Sequence, residues 1–187
     1  MAPRPVLLLI DVQEAFRQDR AAGSAWGNPQ AETRIAALLA GFRAAGAPVI
    51  HVHHHGLDPR DNFHPDAPGA AAMDIATPLP GEPVVIKHGA SAFIGTDLAE
   101  RLAALGNPPL VIAGGAANYC VESTARMAGN LGHATSIAGD ALINVQKILH
   151  DGRVIAAADV LAIVLATLDG EFARVARTET LLAELTP

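Results

Sequence analysis

Short apolar runs alternate with amphipathic segments along most of the chain, the pattern of an α/β protein with a parallel sheet. Val6-Leu-Leu-Leu-Ile10 contains no polar position, as a strand covered by helices on both faces requires. Ile35, Leu38, Leu39 and Phe42 recur at i, i+3, i+4 and i+7, which predicts a helix ended by Gly46. Further strands are predicted at residues 48–53, 83–87, 110–113, 134–138 and 171–175. Between them, Leu98, Leu102 and Leu105 mark a helix capped by Thr96 and stopped by Gly106. Residues 120–131 form a helix closed by Gly132, residues 156–168 another, and a last one runs to Leu185. Residues 56–82, rich in Pro, Gly and Asp, follow neither period. A stretch this long is either a lid or binding loop or a loose surface excursion.

Composition narrows the class. Half of the 187 residues are apolar, enough for one compact domain over 1–187 with a sizeable core. The longest apolar run, residues 160–168, is far short of the roughly 18 positions that a membrane helix needs. The opening Met-Ala-Pro-Arg-Pro-Val lacks a small-residue cleavage pattern, so no signal peptide is expected. A net charge of −6 with singly scattered Lys and Arg argues against nucleic acid as a partner. One cysteine forms no intrachain disulfide and no CxxC zinc site, which suits a reducing cytoplasm. There is no GxGxxG or GxxxxGK[ST] cradle and no GxSxG elbow, so dinucleotides, nucleoside triphosphates and α/β-hydrolase serine chemistry have no recognisable support.

Ligands of open parallel sheets bind at the carboxyl ends of the strands, so the reactive side chains there are the candidates. Asp11 follows the first strand, His53, His54 and His55 end the second, and Lys87 ends the third. A Gly114-Gly-Ala-Ala-Asn-Tyr-Cys120 turn follows the fourth. An acid, an amine and a thiol thus converge from three strands. Cys120 at the start of a helix suits a thiolate with its pKa lowered below about 8.5, although an inert core cysteine fits the position as well. Asp11 could accept the thiol proton or merely cap a turn. Lys87 could hold both groups ionised or sit exposed at a strand end. His51, His53 and His55 alternate and could share a strand face, with His64 reaching in from the long loop. Solvated loop, substrate contact and metal ligation all remain open for them.

The residues then match a known family in four ordered segments. Leu8-Leu-Ile-Asp-Val-Gln-Glu-Ala-Phe16 resembles the opening DxQxxF of the isochorismatase-like cysteine hydrolases. Residues 85–98, Val-Ile-Lys-His-Gly-Ala-Ser-Ala-Phe-Ile-Gly-Thr-Asp-Leu, resemble the family's K-x(3)-SAF-x-GT-x-L segment. Residues 111–124 are similar to its nucleophile turn and helix, and Asp140-Ala141 to the DA closing the next strand.

The resemblance implies a three-layer α/β/α fold with a central, mostly parallel six-stranded sheet. It also implies a Cys-Asp-Lys triad carried by Cys120, Asp11 and Lys87, and a cis peptide between Gly115 and Ala116. The backbone N–H groups of Ala116 and Cys120 would face the oxyanion. The chain departs from the family at Gly115, often Val or Ile, and at Ala117, often Thr. The Asp-x-His metal motif of the nicotinamidases reads His51-Val-His-His-His55 here, without the Asp, so no catalytic metal and no cofactor are expected. His54 matches a histidine of metal-free relatives and is a candidate substrate contact. Phe16, Phe63, Phe93, Asn118 and Tyr119 are candidate pocket walls.

The expected activity is hydrolysis of an amide-like C–N bond of a small molecule through a thioester. The expected assembly is a homo-oligomer, a dimer or larger. Two alternatives stand beside it: a non-catalytic small-molecule-binding or thiol-sensing domain on the same fold, and a metal-assisted nicotinamidase-type amidohydrolase using the His cluster.

Overall fold

The computed structural model describes residues 4–185. Its sheet has six strands: β1 (Val6–Ile10), β2 (Val49–His54), β3 (Val84–Lys87), β4 (Leu110–Gly115), β5 (Thr135–Ile143) and the edge strand Arg174–Ala176. They lie in the order β3-β2-β1-β4-β5 and then the edge strand. Every pairing is parallel, so the sheet is parallel throughout and not merely for the most part. β1 is buried at every position, which explains why it carries no polar residue.

The helices sort by the alternation along β1. Val6, Leu8 and Ile10 pack against Leu98 and Leu102, Ala125 and Ala128, and Leu161, Val164 and Leu168. Leu7 and Leu9 pack on the other face against Phe16, Ile35, Leu38, Leu39, Phe42 and Leu181. The first set belongs to α3 (Leu98–Ala104), α4 (Glu122–Asn130) and α5 (Ala157–Leu168). The second belongs to α1 (Ala15–Ala21), α2 (Ala31–Ala44) and α6 (Thr178–Ala183). One strand of alternating apolar side chains thus holds two separate helix layers, and the three-layer expectation is met.

Several expected boundaries move for local reasons. Asp97, not Thr96, holds the cap position of α3, while the Thr96 hydroxyl accepts the Leu98 N–H at 3.3 Å. The segment expected as one helix from 120 opens with a π turn over Ala117–Val121 before α4. The sixth strand starts at Arg174 because residues 169–173 close a turn, with Gly170 N–H donating to Ala173 O. β5 runs to Ile143, and its register against β4 shifts between Ile112 and Gly114. A short antiparallel pair, β6 (Lys147–Ile148) and β7 (Val154–Ile155), follows it. With the edge strand counted as β8, the element set is complete.

Residues 56–82 are not a loose excursion. They carry two 3-10 turns, Pro68–Ala70 and Asp74–Ala76, and bury Met73 in the α2 layer. Glu14 N–H donates to Ala71 O and Met73 N–H to Val12 O, both at 2.9 Å. The segment is strapped to the chain that leaves β1.

Candidate active site

The strand order reverses beside β1, which has β2 on one side and β4 on the other. A crevice at the carboxyl ends is therefore bounded by the residues that leave β1 and β4. Asp11 turns out of β1 with a left-handed φ of 48°. Gly114, the ladder partner of Ile10, has φ 117°, and a Cβ there would overlap Ile10 O. Glycine is thus required by both conformation and space. The Gly115–Ala116 peptide is cis, as the resemblance implied.

Lys87, fully buried at the end of β3, reaches across β2 into this crevice. Its Nζ lies 2.8 Å from Asp11 Oδ2, 3.2 Å from Cys120 Sγ, 3.2 Å from Gly89 O and 3.4 Å from His54 Nδ1. Asp11, Lys87 and Cys120 are therefore brought together from three strand ends. Asp11 Oδ1 has no hydrogen-bond partner among the described residues. The Cys120 thiol is near enough to feel that carboxylate's charge.

Burial raises the Asp11 carboxyl above its ordinary value, with Lys87 opposing the shift. Burial and the Asp11 charge push the Cys120 thiol up to about 12. The sequence suggested a lowered thiol pKa at a helix start. The difference arises because the thiol is largely desolvated and faces a carboxylate as well as an ammonium. At rest the arrangement is a protonated thiol beside a buried ion pair.

Gln13 is a positioning residue that sequence reasoning passed over, although it stands inside the quoted DxQ segment. Its side chain donates to His54 O at 3.0 Å and Ala70 O at 2.8 Å and accepts from His54 N–H at 2.8 Å. It ties the end of β2 to the 56–82 segment two residues after Asp11. His54 meets the edge of Phe63 at 5.6 Å, and Phe63 meets Phe16 at 5.3 Å. His54, Phe63 and Phe16 thus form one wall. Burial and the nearby Lys87 lower the His54 pKa and favour the neutral ring. Gly115 lies against Phe16: a Cβ there would stand 2.7 Å from Cε2 and 2.8 Å from Cζ. This explains why the chain cannot carry Val or Ile at that position without moving the ring.

Other expected site residues go elsewhere. Phe93 is buried in the α3–α5 layer and stacks on His133 at 5.7 Å, so it is not grouped with the wall. Tyr119 is half exposed and points to Lys147. Asn118 Oδ1 is buried without a partner among the described residues. The N–H group of Ala116 has no backbone acceptor among those residues.

His51 is buried and bonded through Nε2 to Glu82 at 2.9 Å. His53 stands edge-on to His51 at 6.4 Å, its pKa pushed down to about 4 by burial. His55 O accepts from the His88 ring, and His64 Nδ1 accepts Asp66 N–H. Among the described residues no three His, Cys, Asp or Glu side chains are grouped so as to hold a metal ion. A groove of about 650 Å³ opens at the other end of the sheet, beside Arg43, Val49, Leu79, Glu82 and Leu105, and contains none of the crevice residues.

Comparison with known proteins follows the same line. The isochorismatase domain model matches residues 5–169. The isochorismatase family protein YrdC of Bacillus subtilis is 35% identical over 185 residues, covering 97% of this chain and 96% of its own. A solved protein of the isochorismatase family from Chromobacterium violaceum superimposes with a TM-score of 0.92 at 42% identity, covering 99% of this chain and 98% of its own. Ureidoacrylate amidohydrolase RutB of Methylobacterium radiotolerans is 34% identical over 154 residues, covering 64% of this chain and 59% of its own.

Proposed function

The chain belongs to the isochorismatase family of hydrolases, and from that premise we propose that it cleaves an amide-like C–N bond of a small molecule through a thioester on Cys120. The observation that carries this reading is Lys87, whose one buried ammonium reaches both Asp11 and Cys120. The relative named ureidoacrylate amidohydrolase supports an amide as the bond cleaved.

In this mechanism the Cys120 thiol gives its proton to Asp11 as sulfur attacks the substrate carbonyl carbon. Proton transfer and attack occur together, because a free thiolate is disfavoured at rest by the buried carboxylate. The carbonyl oxygen becomes an oxyanion received by the Ala116 and Cys120 N–H groups. Such preorganised donors are worth about 10²–10³ in rate. Asp11 returns the proton to the departing nitrogen as the C–N bond breaks, leaving a thioester. Water then attacks the thioester, Asp11 takes its proton, and the carboxylic acid leaves as the thiol is restored. Lys87 keeps Asp11 ionised for both transfers. His54, Phe16, Phe63 and Asn118 face the substrate.

Two further assignments belong to this proposal. Ile148 and Val154 are exposed apolar side chains paired across β6 and β7, and we assign that pair to a homo-oligomer contact. The unpaired thiol suits the reducing cytoplasm.

The raised thiol pKa favours a second reading, a thiol-bearing domain that binds without turnover. Ammonia release from a panel of small amides separates the two. Wild type is expected to turn over at least one member and Cys120→Ala none. Equal rates for the two, or no turnover by wild type of any amide, overturn the hydrolase.

A further inference from the structure

β3 is one edge of the sheet, with β2 on one side and no strand on the other. His51 N–H donates to Pro83 O and His55 N–H to Lys87 O, both at 2.9 Å. A parallel ladder takes alternate residues of each strand, so the main-chain groups of Pro83, Val85 and Lys87 face β2. Val84 and Ile86 therefore turn both their N–H and their C=O groups to the open edge. Among the described residues, no group beyond the ladder bonds them. Their side chains are apolar and 38% and 37% exposed.

The opposite edge is built differently. On β8 the Val175 N–H donates to Asp169 Oδ1 at 2.8 Å, and Arg174 is paired with Glu184. An occupied donor and outward charges keep a sheet edge from pairing with another chain. Val84 and Ile86 have neither protection. Leu79 and Leu105, both exposed, line the groove that Pro83 also lines, so apolar surface continues past the start of β3.

We propose that β3 pairs antiparallel with β3 of a second copy about a two-fold axis at Val85, joining the two sheets into one. Directly opposite residues of an antiparallel pair exchange two hydrogen bonds where both turn their N–H and C=O groups toward each other. With Val85 opposite itself, Val84 meets the partner's Ile86 and Ile86 meets the partner's Val84. Every open main-chain group on the strand then has a partner, and the two exposed apolar side chains form cross-strand pairs. The strand is its own complement. A second copy brings this register with it, which selects it over a strand from a different protein. The inference depends neither on the reading of Cys120 nor on the β6–β7 contact, which lies on another part of the chain.

Sedimentation equilibrium at micromolar concentration is expected to give wild type an even number of chains. Val84→Lys with Ile86→Lys sets like charges opposite each other in both cross-strand pairs and should halve that mass. Val84→Glu with Ile86→Lys sets opposite charges in both pairs and should keep it. A monomeric wild type, the first variant at the wild-type mass, or the second at half of it overturns the proposal.

Cross-linking reads the register without disturbing the pairing. In a Cys120→Ala background, chains with Val84→Cys are mixed with chains with Ile86→Cys, left to exchange and oxidised. Hydrogen-bonded antiparallel partners stand about 5.5 Å apart at Cα, within the reach of a disulfide. The mixture should give a disulfide-linked dimer on a non-reducing gel, and neither chain alone should. No cross-link in the mixture, or one as strong in either chain alone, overturns the antiparallel pairing about Val85.

Discussion

Asp11 and Lys87 stand 76 residues apart in the chain, yet their side chains meet at 2.8 Å with essentially no access to solvent. The pair takes one charge from β1 and one from β3, across the intervening β2. Each charge is tolerable in the interior because the other is present.

Removing one partner should therefore cost far more than removing both. Lys87→Met leaves a buried carboxylate alone and should lower stability by about 3–5 kcal/mol. The double variant Asp11→Asn with Lys87→Met should recover most of that loss in urea denaturation and none of the activity. A Lys87→Met protein as stable as wild type would contradict the arrangement.

The Cys120 thiol sets a second expectation, in alkaline solution. Its folded pKa is raised from the ordinary 9.0 to about 12. As pH rises through 9, the unfolded chain releases this proton while the folded one keeps it, so the unfolded state gains and stability falls across that window. Urea midpoints should decline more steeply between pH 8.5 and 10.5 for wild type than for Cys120→Ala. In the same range iodoacetamide labelling should climb without a plateau. A plateau near pH 8 would show an activated thiol instead.

Gly115 and Phe16 should behave as a coupled pair. Gly115→Val drives a side chain into the Phe16 ring and against Ile143 Cβ at 3.2 Å, an overpacking cost of about 1–3 kcal/mol. Phe16→Leu in the same chain should return part of the stability, because the obstructing ring carbons are gone. Additive losses in a double-mutant cycle would mean that the two residues do not meet.

Gln13 should act at a distance from the chemistry. Gln13→Ala strips partners from both the carbonyl and the N–H of His54 and from Ala70 O. Stability should drop by about 2–3 kcal/mol. KM should rise more than kcat falls, since the wall made by His54 and Phe63 loosens while Asp11, Lys87 and Cys120 stay paired. A loss confined to kcat would assign Gln13 a different role.

Much of this was legible in the chain because a buried parallel strand has a plain signature. The run Val6–Ile10 had to be covered on both faces, and the reactive groups at the strand ends then had one edge on which to meet. α1 escaped notice because only Ala15 and Phe16 of its seven residues are buried, too few to mark a helical period. The β6–β7 pair is two residues on each strand, below the length at which alternation can be read. Phe93 sits in a quoted family segment, yet its ring turns to His133, which sequence spacing cannot show. The sign of the thiol shift is hidden from the sequence for a related reason. A helix start is local and visible, whereas desolvation and a facing carboxylate come from residues 109 or fewer positions away only once the sheet has formed.

The bridge between Trp26 and Val145 has an optical consequence. Trp26 is the chain's one tryptophan, and it is buried under Arg20 at the root of the β6–β7 hairpin. Its emission therefore reports the hairpin root together with the helix layer of α1, α2 and α6, in which it is buried. A fluorophore placed on the single cysteine, which packs against the other helix layer, would accept energy from it. Opening of the rim would register in that donor–acceptor pair before the sheet itself comes apart, giving local and global unfolding separate signals.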